Sequence, residues 1–125
     1  MRVVFIVVGA TQGEPPAKSD GWLTIGREYV VLGIYGRERE IKFRILGDDG
    51  TTPALHSSDR FKVISSDIPS DWTFRIFPGN EWEIGPAAWS GAGFWNAYFD
   101  GEPSARTVFD AIAIALGART PEFRP

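Results

Sequence analysis

The chain has no cysteine, one histidine and one methionine in 125 residues. Without cysteine there is no disulfide framework and no thiolate metal site, which fits a reducing cytoplasm. A zinc site would have to gather several carboxylates around His56, and no i,i+4 spacing brings them there. No apolar run approaches the roughly 20 residues of a membrane-spanning helix; the longest, Val3 to Ala10, is roughly half that. Arg2 before it and Gly9-Ala10 after it would suit a signal-peptide core. Gln12-Gly13-Glu14-Pro15 makes a poor cleavage context, however, and the β-branched run reads better as a strand buried on both faces. A phosphate-cradling loop is missing too, because Gly33-Ile34-Tyr35-Gly36 has neither the following lysine nor a strand-to-helix setting.

Catalytic constellations are equally scarce. His56-Ser57-Ser58-Asp59 holds the residue types of a nucleophilic triad, but neighbours along a chain diverge and cannot line up as nucleophile, base and orienter. The paired carboxylates Asp48/Asp49 and Glu81/Glu83 read as a turn and as the outer face of a strand, and acid–base work would require a cleft around them. The expectation is a protein without enzymatic activity, cofactor or metal. A small hydrolase working through His56 or the paired carboxylates is the enzymatic alternative.

What is present is an ordinary globular composition, 43% hydrophobic and 23% charged, in a length that fits one core and not two. The net charge of -3 is unevenly spread. Between Asp67 and Glu102 six acids face a single base, Arg75, while the segments on either side are each slightly basic. That same stretch holds four of the five tryptophans.

Alternation predicts strands over Val3–Val8, Glu28–Tyr35, Ile41–Ile45, Ala54–His56 and Arg60–Ile64, joined by the polar turn Gly36–Arg39 and the hairpin turn Gly47–Gly50. A second hairpin follows, with Phe74, Ile76, Trp82 and Ile84 expected toward the core and Glu81 and Glu83 outward. Pro86–Trp89 starts a helical turn, Phe94–Phe99 another, and Pro103 opens a last helix whose stripe is Ala105, Val108, Phe109, Ile112 and Leu116, capped at Gly117. The fold class is α+β in a single domain over 1–118: a small antiparallel barrel or meander over about 1–66, a hairpin and helical cap over about 67–118, and a loose tail from Arg119 to Pro125.

Two surfaces offer themselves. Arg37, Arg39, Lys42 and Arg44, with Arg60 and Lys62, would give a basic face of the kind that binds nucleic acid or a peptide, although Glu28, Glu38 and Glu40 are interleaved. The acidic, aromatic segment offers Asp71, Glu81, Glu83, Trp89, Trp95, Asp100 and Glu102 as contacts for a basic protein partner.

The entry Ile25-Gly-x-x-Tyr29-x-Val31 followed by a hairpin resembles an SH3-like barrel. The longer pattern runs through G-x-x-Y-V-V-L-x-I from Gly26, F-R-I-L-G-D-D-G from Phe43, P-A-L-H from Pro53, I-P-S-D-W from Ile68 and P-A-A-W-x-x-x-G-F-W-x-x-Y-F-D-G from Pro86 to Gly101. It is similar to small bacterial immunity proteins of polymorphic and contact-dependent toxin systems. That resemblance implies a cytoplasmic, cofactor-free protein that binds a cognate toxin domain, a basic one such as a nuclease, and blocks its active site or substrate entry. It supplies no family-wide set of functional residues.

Overall fold

One stretch of chain serves two sheets. In the computed structural model, which describes residues 1–6, 19–91 and 93–119, the strand expected over Glu28–Tyr35 is split into β2 (Glu28–Val30) and β3 (Gly33–Arg37). The switch falls between two consecutive buried residues. The Val31 amide donates to Met1 O at 2.9 Å, in the first sheet, and the Leu32 amide to Arg44 O at 2.8 Å, in the second. The first sheet is three-stranded, with β1 (Arg2–Phe5) between β2 and β6 (Phe61–Ser65). The second has the order β5-β4-β3-β8-β7, from β4 (Glu40–Leu46), β5 (Pro53–Ser57), β7 (Trp72–Phe77) and β8 (Glu81–Pro86). All pairings are antiparallel.

The α+β class therefore holds, while the described residues form no closed barrel. The second hairpin explains the difference. It was expected to pack on a finished barrel; instead β8 pairs with β3, from Ile34↔Ile84 to Arg37↔Glu81, and occupies the edge that closure would have used. A 3-10 turn, Ser58–Arg60, carries the chain from β5 in the large sheet to β6 in the small one.

Two cores follow from the two faces of the large sheet. Between the sheets lie Val3, Phe5, Leu23, Tyr29, Val31, Ile34, Phe43, Ile45 and Phe61. On the opposite face, α1 (Phe94–Phe99) and α2 (Pro103–Leu116) cover Leu32 and Leu46 with Trp89, Tyr98, Ala105, Phe109 and Ala113. Phe109 is central there, with ring centroids 4.7 Å from Tyr98 and 5.1 Å from Trp89. The helix stripe is thus centred on Ala105, Phe109 and Ala113; Ile112 and Leu116 flank it, and Val108, expected inside, is 38% exposed. Gly117 ends α2 at φ 82°, and the Ala118 amide returns to Ala113 O at 2.9 Å, a cap that a Cβ would strain. No described helix is long and apolar enough to cross a membrane.

Val3 and Phe5 are buried as expected, whereas Val7 to Ala10 lie outside the described residues, as does the tail from residue 120. Arg119 is held: its guanidinium pairs with Asp110 and donates to Gly50 O.

Candidate functional site

Strand register sorts the polar side chains of the large sheet onto one face. Lys42 stands opposite Tyr35, Tyr35 opposite Glu83, and Glu83 opposite Arg75, so these four side chains form a row across β4, β3, β8 and β7. The next row toward the hairpin ends is Glu40, Arg37, Glu81 and Phe77. Arg44, one row inward, is where the helices begin to cover this face. Its guanidinium lies 3.9 Å from the centre of the Trp95 ring and donates to Pro53 O at 2.8 Å. Burial lowers its pKa to about 10, against the opposing pull of Glu83. The helix-side face is therefore apolar and closed at one end, charged and open at the other.

The two surfaces expected from sequence converge on this open end. Glu81 and Glu83 are both half-buried there, and Glu81 forms an ion pair with Arg37 at 3.5 Å. Lys42 is half-buried on the same face, Arg37 is more exposed, and Arg39 stands exposed in the turn between β3 and β4. The Tyr35 phenol is pushed above its usual range by burial and by Glu81 beside it. The central place of Tyr35 depends on β8 pairing with β3, which no local pattern signals. Arg75 was counted from sequence only as a lone base. It donates to Ser90 O and lies 5.3 Å from the Phe77 ring centre, drawn inward across the sheet.

Other expected contacts sit elsewhere. Trp89 is 3% exposed and stacked on Phe109, so it is core and offers nothing to a partner. Trp95 is half-buried between Arg44 and the other aromatics of the helical layer. Asp100 and Glu102 are exposed at the corner between α1 and α2. Asp71 is exposed just before β7, lining an apolar groove whose far wall is Ala111, Ile112, Ala115 and Leu116.

The other face of the same sheet corrects one expectation directly. Trp82 and Ile84 do pack against the core between the sheets, but Phe74 is 59% and Ile76 73% exposed. They lie on β7, the outermost strand, beyond the reach of the three-stranded sheet. Trp82 itself rests flat over Gly36: a Cβ added at Gly36 would fall 2.0 Å from the indole.

His56 belongs to neither surface. It is half-buried opposite Phe43 and edge-on to Phe61, centroids 6.4 Å apart, with Nε2 lacking a partner. Burial lowers its pKa, which Asp20 opposes and Arg60 reinforces. The Ser57 hydroxyl donates to Asp59 at 2.7 Å rather than to the imidazole, so no relay runs through His56. Among the described residues no group of three or more His, Asp or Glu side chains could hold a metal ion.

No family model matches the chain, and no curated protein or solved structure matches it significantly. The site must therefore be judged by its own chemistry. Its open end offers two half-buried carboxylates, a phenol and interleaved cations on one face of the large sheet.

Proposed function

We propose that this chain is an immunity-type protein, related in style to SH3-like modules, that binds a cognate bacterial toxin domain and occludes its active site or substrate entry without catalysis of its own. The observation that carries the reading is the half-buried pair Glu81 and Glu83, fixed in register beside Tyr35 on the open end of the large sheet. Carboxylates already partly stripped of water on a rigid strand lose little on docking and select a basic counterpart. Asp100 and Glu102 add negative field for steering a basic domain, whereas Trp89 drops out of the contact set. The basic-face alternative, with Arg37, Arg39, Lys42 and Arg44 gripping nucleic acid or a peptide, is weaker: Arg37 is engaged by Glu81, and Arg44 is stacked on Trp95.

The test is rescue of growth against a toxin domain encoded beside this chain, together with stopped-flow association at low and high salt. Reversing Glu81 and Glu83 to lysine is expected to abolish rescue and to slow association tenfold or more at low salt. Unchanged rescue and rate would remove these carboxylates from the interface. A salt-dependent shift of DNA or RNA at low salt would favour the basic-face reading instead.

A further inference from the structure

Strand β7 ends the large sheet, and among the described residues no strand pairs with its outer side. Such an edge exposes a row of backbone donors and acceptors, which proteins usually blunt with lysine, proline, a bulge or an outward charge. Trp72–Phe77 reads W-T-F-R-I-F and contains neither lysine nor proline. Its pairing to β8 runs without a register shift, and its single charge, Arg75, is drawn inward to Ser90 O. Phe74 and Ile76 meanwhile stand 59% and 73% exposed on the face away from the helices.

The sequence of this edge complements itself in one register. Residues opposed across an antiparallel pair point to the same face, so a two-fold axis perpendicular to the sheet must pass beside a residue. An axis at Arg75 would set Pro78, which has no amide hydrogen, against Trp72. An axis at Ile76 would run Pro78 into the ladder, one at Trp72 would leave Ile76 unopposed within β7, and one at Thr73 would set Ile76 against Ser70, outside β7. An axis at Phe74 sets Phe74 against its own copy and Trp72 against Ile76, covering the apolar row from both sides. On the other face it opposes Thr73 to Arg75, whose guanidinium is turned inward to Ser90 O and leaves the seam uncharged. Cover for the apolar row thus selects the axis at Phe74.

We propose that β7 pairs antiparallel with β7 of a second copy of this chain about a two-fold axis at Phe74, joining two five-stranded sheets into one of ten strands. The ladder joins the two open charged faces side by side. The inference stands independently of the toxin-binding reading.

A chain without cysteine makes the register directly testable. In a Phe74→Cys variant the two new thiols face each other at the axis, with β-carbons about 4.5–5.5 Å apart and close to disulfide range. Mild oxidation is expected to give a covalent dimer at least tenfold faster for Phe74→Cys than for Thr73→Cys, Arg75→Cys or Ile76→Cys. Sedimentation equilibrium of the full chain is expected to show a monomer–dimer equilibrium, weakened tenfold or more by Ile76→Lys, which strikes the interface twice. Circular dichroism of each variant separates loss of pairing from loss of fold. A monomer at every concentration overturns the proposal, and so does fastest crosslinking at position 73, 75 or 76. A monomer whose alternate β7 amides gain exchange protection only when a toxin domain is added would assign the edge to that partner and also overturn it.

Discussion

Gly36 is buried because Trp82 needs the space above it. Its Cα is the floor on which the indole lies, and the nearest ring atom would be 2.0 Å from an added Cβ. Gly36→Ala is therefore expected to cost about 1–3 kcal/mol in urea unfolding, with a shifted tryptophan emission, because the indole must lift from the sheet. His56 gives a second residue-scale expectation. Its folded pKa lies below the ordinary 6.5, chiefly through burial. Above pH 6.5 the imidazole is neutral in both states and contributes no pH dependence. As pH falls below 6.5 the unfolded chain takes up the proton first, so stability drops until the folded imidazole is protonated as well. Thermal melts between pH 5 and 7.5 should show that slope in the native chain and a shallower one in His56→Phe; equal slopes would remove His56 as its source. Neither residue's role was legible in the sequence. Gly36 read as a turn and His56 as a fragment of a false triad, because both depend on which strand lies alongside.

At the scale of elements, alternation and helical period located nearly every strand and helix, and capping located the end of α2 at Gly117. What periodicity could not give was which residues of an apolar pattern would find cover. On α2 the stripe expected from spacing included Val108, yet the helix rests on Ala105, Phe109 and Ala113. Phe109→Ala is accordingly expected to cost about 3–5 kcal/mol, against less than about 1 kcal/mol for Val108→Ala, in the same denaturant titration. On β7 the alternation was read correctly and the burial was not. Phe74 and Ile76 share a face with the buried Ile34 and Phe43, but two strands further out that face has no covering layer among the described residues. The candidate site shows the same limit: Glu81 and Glu83 were legible as outward carboxylates, while their company of Tyr35, Arg37 and Arg75 required knowing that β8 joins β3.

For the molecule as a whole, the passage from one sheet to the next at Val31–Leu32 ties the two cores together, since both residues are fully buried, one in each. Unfolding followed by far-ultraviolet dichroism, which reports backbone, and by tryptophan emission, which reports side-chain packing in both cores, should give coincident transitions. Separate midpoints would show that the molecule does not unfold as one unit. The pairing of β3 with β8 also has a bearing on synthesis. Gly33–Arg37 leaves the ribosome about 50 residues before Glu81–Pro86, and until those arrive β3 is an unsatisfied edge in a nascent chain that already carries β4 and β5. During those seconds the growing polypeptide exposes a sticky half-sheet, a period in which a chaperone, or a slower codon in the wrong place, would decide between native pairing and aggregation.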